Sequence, residues 1–364
     1  MHVKSLQCYH CGKKYPRSHL VYHCSCGGSF EIIYDYSHLK KHLTWRELRK
    51  RSFNHWRYKE FYPFLKEDKI VTLKEGATPL VESALEKDLW FKNETLNPTG
   101  SFKDRGSTIE ISQALSQKAK RVICASTGNM GASVAAYSAR AKLPCTIVMP
   151  RVVHAPEKIA QMKHFKAKII TVPGDYAAAE KHAYMLYQKK GSYLVGDYCY
   201  RGEGEKSIGF EILDQMKNVD FVFCPIGNGT LISGLWKAMK ELKKVGLVKK
   251  LPQLMGVQAL GCNTVVKAWK EGKKIKKVIP KTLASAIACG NPLDGEKAVH
   301  AFFESQGKGI LVSDKEILSA QHRMQQQGLD VEPSGAVAYA GYLKIKPKGK
   351  CIALATGHGL KCIK

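Results

Sequence analysis

Residues 97–107 read NPTGSFKDRGS and carry a single lysine, Lys103, at the predicted first turn of a helix. The Pro-Thr-Gly segment indicates a turn, Ser101 is predicted to cap the helix, and the helix is expected to end near residue 118. The positive end of a helix dipole disfavours an ammonium group, so Lys103 is a candidate for forming a Schiff base. The alternative is a surface helix that begins with a run of charges.

Three further segments combine an apolar run, typical of a buried strand, with a short polar loop that contains glycine. The backbone N–H groups of such loops bind anions, and open α/β sheets collect ligands at these strand ends. The three segments are RVICA (121–125) with Ser126, Thr127, Gly128 and Asn129; DFVFCP (220–225) with Gly227, Asn228, Gly229 and Thr230; and CIALAT, ending at Thr356, with Gly357, His358 and Gly359.

The chain resembles threonine synthase and its paralogues among the fold-type II pyridoxal-phosphate enzymes. The resemblance is carried by four motifs in the order of the family: NPTGSFKDRG (97–106), the STGN loop (126–129), the GNGT loop (227–230) and the closing TGHGLK (356–361). The resemblance extends from about residue 1 to the C-terminus. It implies an α/β fold similar to tryptophan synthase β, with two open sheets and the cofactor between them. The alternation of strands and helices from about residue 89 to residue 355 agrees with an α/β sheet protein.

The resemblance also implies how pyridoxal phosphate is held. Lys103 would bind the cofactor covalently and, once released, move the proton of the substrate Cα. A hydroxyl rather than a carboxylate at the pyridine nitrogen suits elimination and replacement better than transamination. The implied cofactor contacts are Lys103 through the covalent bond, Asn129 at the ring hydroxyl, Thr356 at the pyridine nitrogen, and Gly227, Asn228, Gly229 and Thr230 at the phosphate.

The implied substrate is a small phosphorylated amino acid. Its carboxylate would lie on the STGN loop, and its phosphate would meet the arginine of YRGEGEKS. The implied reaction converts O-phosphohomoserine and water into threonine and phosphate, as in a carbon–oxygen lyase. The implied substrate contacts are Ser126, Thr127, Gly128, Lys158 and Arg201.

Two departures from the family pattern leave alternatives open. Met130 stands where threonine synthases usually have threonine, and GDYCY at 196–200 replaces an asparagine-rich segment that resembles NSVNP. One alternative is a related lyase or β-replacement enzyme, such as a threonine or serine dehydratase or a cysteate synthase. The other is a noncatalytic paralogue that acts as a binding protein.

The N-terminal segment carries two cysteine pairs, Cys8 with Cys11 and Cys24 with Cys26. Four thiolates satisfy tetrahedral Zn²⁺ and leave no open position, so the pairs predict a structural rather than a catalytic metal. The segment resembles the zinc ribbon that precedes the catalytic domains of several threonine synthases. His10 and His23 are possible substitute ligands, and a ribbon without metal is the alternative.

The composition sets further limits. The sequence has 58 Lys and Arg against 31 Asp and Glu, a net charge of +27, but the lysines cluster without aromatic platforms. Nucleic-acid binding is therefore not expected, and residues 37–67 are expected to form a helical connector on the main body. No apolar run approaches the roughly 20 residues of a membrane span, and no signal core is present, which favours a soluble cytoplasmic protein. The resemblance implies a homodimer.

The expected domains are a zinc ribbon at 1–35, a connector and the start of the large domain at 36–95, a small α/β domain at 96–197, and a large cofactor-binding α/β domain at 198–364. Closure of the small domain on the substrate is expected, because excluding water protects reactive intermediates.

Overall fold

The structure is a computed structural model that describes residues 2–16, 22–63, 66–152 and 155–362. Its strands form three separate sheets. The strands are β1 (His2–Cys8), β2 (Lys14–Tyr15), β3 (Phe30–Asp35), β4 (Leu80–Glu82), β5 (Leu89–Asn93), β6 (Arg121–Ala125), β7 (Cys145–Pro150), β8 (Lys168–Val172), β9 (Ser192–Val195), β10 (Phe221–Pro225), β11 (Gln253–Ala259), β12 (Lys308–Val312) and β13 (Cys351–Ala355).

Helices separate most of the strands. Short 3₁₀ segments cover His55–Phe61, Glu67–Lys69, Glu94–Leu96, Ser285–Ile287 and Gly359–Lys361. The α-helices are α1 (Ser37–His42), α2 (Trp45–Arg49), α3 (Lys103–Ser116), α4 (Asn129–Arg140), α5 (Pro156–His164), α6 (Tyr176–Tyr187), α7 (Cys199–Glu205), α8 (Ser207–Gln215), α9 (Thr230–Lys244), α10 (Thr264–Glu271), α11 (Gly295–Ser305), α12 (Asp314–Gln325) and α13 (Pro333–Ile345).

The N-terminal sheet is antiparallel, with the order β2-β1-β3. Residues of β3 alternate between buried and half-buried, as a strand covered on one face requires. After this sheet, the connector lies against the main body: Leu48, Tyr58 and Phe61 are fully buried in the same apolar cluster as Phe210 of α8.

The two larger sheets carry the loops that the sequence singles out. The six-stranded sheet has the order β12-β11-β10-β13-β5-β4, in which only β4 runs antiparallel to its neighbour. The four-stranded sheet, β8-β7-β6-β9, is parallel throughout. Parallel strands joined through helices confirm the predicted α/β class. The domain limits stay predictions.

Helix α3 differs from the sequence prediction in its start and in its burial. It begins at Lys103, and Ser101 gives no side-chain cap because its backbone forms an isolated antiparallel bridge with Gly357. Residues 104–114 are all buried, so the alternative of a charged surface helix is wrong. Within the described ranges, no helix is both long and apolar enough to cross a bilayer.

Candidate active site

Lys103, the first residue of α3, faces two carboxylates. Its Nζ donates a hydrogen bond to Glu205 Oε1 at 3.1 Å and lies 3.9 Å from Asp197 Oδ1. The Lys103 side chain is 18% exposed, whereas that of Glu205 is fully buried. Lys103 Nζ also lies 4.4 Å from the centre of the Phe102 ring. The Lys103 side chain is therefore mostly enclosed, with an acid group within hydrogen-bonding distance of its amine.

The loop after β13 lies directly against the loop that carries Lys103. The Phe102 N–H donates to the Thr356 carbonyl at 3.1 Å, and the His358 N–H donates to the Gly100 carbonyl at 2.9 Å. Thr356 is itself buried, and its hydroxyl lies 3.5 Å from the Ser334 carbonyl. Two of the segments singled out in the sequence thus meet at one place in the fold.

Glu332, at the start of α13, joins the STGN loop to this pair of segments. Its carboxylate accepts hydrogen bonds from Asn129 Nδ2 at 2.6 Å and from Lys158 Nζ at 2.8 Å. The Glu332 N–H donates to the Gly357 carbonyl at 2.9 Å. Asn129 Oδ1 is buried and has no hydrogen-bond partner among the described residues. A buried amide oxygen without a partner is what a ligand-binding residue shows before its ligand is bound.

The STGN loop leads into the start of α4. Ser126 Oγ accepts from the N–H groups of Gly131 at 2.9 Å and Gly128 at 3.3 Å, which fixes the turn. Apart from its chain neighbours, no described residue comes within 4 Å of the position where a Gly128 side chain would lie. Thr127 and Gly128 are half-buried, so the loop presents a hydroxyl and helix N-terminal N–H groups to an open space.

The GNGT loop leads into α9 and is fixed by hydrogen bonds with residues 293–294. Asn228 Oδ1 accepts from the Leu293 N–H at 2.6 Å, and the Thr230 hydroxyl donates to Asp294 Oδ2 at 2.9 Å. Gly229 has φ +94°, and a side chain there would come within 2.7 Å of the Asp294 carbonyl oxygen. Within the part of the chain that the structure describes, no side chain caps α9. Its first N–H groups can therefore bind an anion such as a phosphate.

Arg201 contacts the backbone of Lys103 and is fully buried. It donates to the carbonyls of Gly196 at 3.2 Å and Lys103 at 3.3 Å, and to the Ser107 hydroxyl at 3.4 Å. The same guanidinium forms an ion pair with Glu110. The guanidinium N–H groups of Arg201 thus already bind protein groups. The sequence did not predict these partners. The predicted contact with a substrate phosphate stays a prediction.

The carboxylates around Lys103 were not among the predicted site residues. Burial raises the pKa of Glu205, while the charges of Lys103 and Arg201 act in the opposite direction. One signal was present in the sequence: Arg201 and Glu205 are four residues apart, a spacing that puts both on one face of a helix. Glu332 was not among the predicted site residues either, but it contacts two of them, Asn129 and Lys158.

The four N-terminal cysteines converge. Their sulfur atoms all lie within 4.8 Å of one another, with Cys8 and Cys26 at 3.5 Å and Cys11 and Cys24 at 3.6 Å. Tetrahedral zinc with Zn–S bonds of about 2.3 Å separates its sulfur ligands by about 3.8 Å. The arrangement therefore fits Zn²⁺. His10 instead contacts Glu296 at 3.1 Å, and the His23 ring meets the Tyr198 ring edge-on.

Comparison with known proteins identifies the family. The family described as "Pyridoxal-phosphate dependent enzyme" matches residues 71–357. The threonine synthase of Methanocaldococcus jannaschii is 41% identical, in an alignment that covers 98% of this chain and 92% of the relative. The chain belongs to the threonine synthase family of pyridoxal-phosphate dependent enzymes. This confirms the family and the cofactor that the sequence motifs implied.

Other matches agree with this family. The threonine synthase of Methanosarcina acetivorans is 37% identical over the same shares of both chains. Among solved structures, threonine deaminase isoform 2 from Solanum lycopersicum has a TM-score of 0.68 and 26% identity, covering 77% of this chain and 79% of that one. Maize serine racemase, at 24% identity and a TM-score of 0.69, shares the fold over 78% of this chain and 88% of that one.

Proposed function

We propose that this enzyme converts O-phosphohomoserine and water into threonine and phosphate. The observation that carries the proposal is the 41% identity to a threonine synthase across 98% of the chain, including the N-terminal ribbon. The deaminase match is 26% identical and covers only 77% of the chain. The relatives therefore favour the synthase over the dehydratase alternative.

The residues present fit pyridoxal phosphate. Bound in the site, the cofactor would act as an electron sink for carbanions of the substrate. The Lys103 amine would hold it covalently, and the free N–H groups of the GNGT loop, Gly227 to Thr230, would hold its phosphate. Asn129, whose Oδ1 has no hydrogen-bond partner among the described residues, and Thr356 would contact the ring. The fit depends on the uncapped α9 and on the way the Lys103 and Thr356 segments lie together.

The substrate contacts follow from the remaining polar groups. Ser126, Thr127 and Gly128 would bind the substrate carboxylate through hydroxyl and N–H groups. Lys158 and Arg201 are each paired with a carboxylate, Glu332 and Glu110 respectively. A substrate phosphate would have to compete with those carboxylates. Lys103, once free, would remove and return protons at the substrate carbons, and the half-buried site would limit the access of water.

The test is a parallel assay with phosphohomoserine, phosphoserine with sulfite, threonine and serine, in which phosphate, keto acid and threonine are measured. Equal amounts of phosphate and threonine from phosphohomoserine are expected. Keto acid from threonine would instead support the dehydratase alternative. Borohydride reduction of the enzyme should leave a pyridoxyl group on Lys103, and Lys103→Ala should carry none. A wild-type protein without this adduct would contradict the proposal and favour the binding-protein alternative.

The ribbon is proposed to hold one structural Zn²⁺ on Cys8, Cys11, Cys24 and Cys26. The support is the convergence of the four sulfur atoms at distances that suit tetrahedral zinc. Metal analysis of the purified protein should find one zinc per chain. The homodimer, the cytoplasmic location, the domain limits and closure of the small domain also stay predictions.

A further inference from the structure

Glu205 is the buried carboxylate that accepts a hydrogen bond from Lys103. It is the last residue of α7, and its side chain is fully buried. Glu205 Oε1 accepts from Lys103 Nζ at 3.1 Å, while Glu205 Oε2 has no hydrogen-bond partner among the described residues. A structural ion pair would normally use both carboxylate oxygens. Glu205 therefore has capacity for a proton that its surroundings do not use.

We propose that Glu205 exchanges a proton directly with Lys103. This inference rests on the proposed function, in which the Lys103 amine must alternate between its protonated and free forms. In the exchange, one N–H bond of the ammonium breaks and its electron pair stays on nitrogen. The proton forms an O–H bond with the Glu205 carboxylate. No other reactant is needed, and a pair of opposite charges becomes a neutral amine and a neutral acid.

Burial makes this exchange feasible. In water the two groups differ by about 6 pKa units, which keeps the proton on the amine. Withdrawal from water penalises both charged forms and leaves the neutral pair almost unaffected. The raised pKa of Glu205 agrees with this direction.

The groups that face Glu205 come from several elements. Lys103 on α3 and Arg201 on α7, at 3.1 Å and 3.8 Å, favour the carboxylate. Asp197, in the loop before α7, favours the protonated acid. The buried thiol of Cys224 on β10 also lies within electrostatic range.

Asp197 is the competing candidate, and the geometry disfavours it. Its nearest oxygen, Oδ1, also lacks a hydrogen-bond partner among the described residues, but it lies 3.9 Å from Lys103 Nζ, beyond hydrogen-bonding distance. Asp197 therefore acts on Lys103 as a charge rather than as a proton acceptor. This difference supplies a control: replacing Asp197 removes a neighbouring charge but leaves the acceptor in place.

The test measures the pH dependence of Lys103 acylation in full-length protein freed of pyridoxal phosphate. Acetic anhydride is the probe, and the modified Lys103 peptide is quantified by mass spectrometry. Only free amine reacts, so an amine that loses its proton to solvent reacts about tenfold faster per pH unit below its pKa. An internal exchange creates free amine without releasing a proton, so wild-type Lys103 should show a plateau between about pH 6 and 8.

Controls separate proton exchange from a simple charge effect. Lys250 pairs with Asp220 at 2.8 Å in an exposed position, so its peptide in the same sample should show the steep slope. Glu205→Gln should remove the plateau, and Asp197→Asn should keep it while changing its level. Glu205→Asp, which keeps an ionisable group at shorter reach, should keep a weaker plateau. A wild-type slope equal to that of Lys250 would overturn the proposal, and this outcome needs no variant to fold.

Turnover gives a second measurement. Glu205→Gln should lower kcat about 100-fold with little change in KM, a loss typical of a missing acid–base group, and Glu205→Asp should recover part of it. The exposed Glu271→Gln serves as the control. The proposed function is tested separately by threonine formation and by the pyridoxyl adduct on wild-type Lys103. If both are present and Glu205→Gln matches the wild type in kcat and acylation slope, the inference alone fails.

Discussion

The Tyr34 hydroxyl donates a hydrogen bond to Glu203 at 2.5 Å and thereby joins the N-terminal sheet to helix α7. Lys237 of α9 strengthens the same junction by donating to the Ile32 carbonyl at 2.6 Å. The opposite side of α7 carries Arg201 and Glu205, which contact the residue proposed to bind the cofactor. One seven-residue helix thus lies between the ribbon and the candidate active site.

Tyr34→Phe should destabilise the protein through this junction. Glu203 would keep its lysine partners, Lys206 and Lys237, but lose a buried donor. The expected decrease in the free energy of unfolding is about 2 kcal/mol, as for hydrogen bonds to charged groups. Urea unfolding measures it. Tyr184→Phe, at a residue 48% exposed, is the control and should change stability little. An equal decrease in the free energy of unfolding of both variants would show that the Tyr34 hydrogen bond does not stabilise the protein.

Loss of zinc should act on the same junction. Cys24→Ser removes one proposed ligand, so the zinc content should fall well below one per chain and the ribbon should unfold at a lower temperature. Thermal unfolding and metal analysis of the same sample measure both effects. Cys362→Ser, at an exposed cysteine outside the ribbon, should change neither. Unchanged zinc in Cys24→Ser would show that the four sulfur atoms are not the metal site.

Gly229→Ala should weaken pyridoxal phosphate binding at least about tenfold. A methyl group at Gly229 would collide with the Asp294 carbonyl oxygen at 2.7 Å and distort the loop before α9. Gly246→Ala is a matched control: its φ of +83° imposes a similar backbone strain, of about 1 kcal/mol, but none of the described residues beyond its chain neighbours comes within 4 Å of the added methyl. Fluorescence titration of the cofactor-free proteins compares their affinities. Similar affinities of the two variants for pyridoxal phosphate would contradict the prediction, because the collision with Asp294 would then have no effect on cofactor binding.

The sequence was sufficient for the parts of the site that depend on local chemistry. Glycine loops after apolar strands, and a lysine at a helix start, are patterns within a few residues. The sequence was insufficient for contacts between segments that lie far apart along the chain. Glu205 is 102 residues from Lys103, and only the packing of α7 on α3 brings them together. Ser101 fails as a cap because its backbone pairs with Gly357, a contact that no local propensity records.

The stability of the enzyme should also depend on pH through Asp104, which follows Lys103. Asp104 is fully buried and accepts hydrogen bonds from the Thr99 N–H at 2.7 Å, the Thr99 hydroxyl at 2.6 Å and the Ser133 hydroxyl at 2.6 Å. Burial nevertheless raises the pKa of Asp104 to about 6. The folded state therefore holds a proton that the unfolded chain has released, in the range between the ordinary pKa of 3.8 and about 6.

The sign follows from this difference in bound protons. The contribution of Asp104 to stability is fully present below its unfolded pKa and is lost as the pH rises through its folded pKa. Each pKa unit corresponds to about 1.4 kcal/mol, so the free energy of unfolding should fall by up to about 3 kcal/mol from pH 4 to pH 7 through this group. Asp104→Asn removes the titration. The stability of the wild type minus that of Asp104→Asn, from urea unfolding at each pH, should decrease across this range and be constant above it. A difference that does not vary with pH would show that Asp104 keeps its ordinary pKa in the folded enzyme, because its three donors then offset the cost of burying the charge.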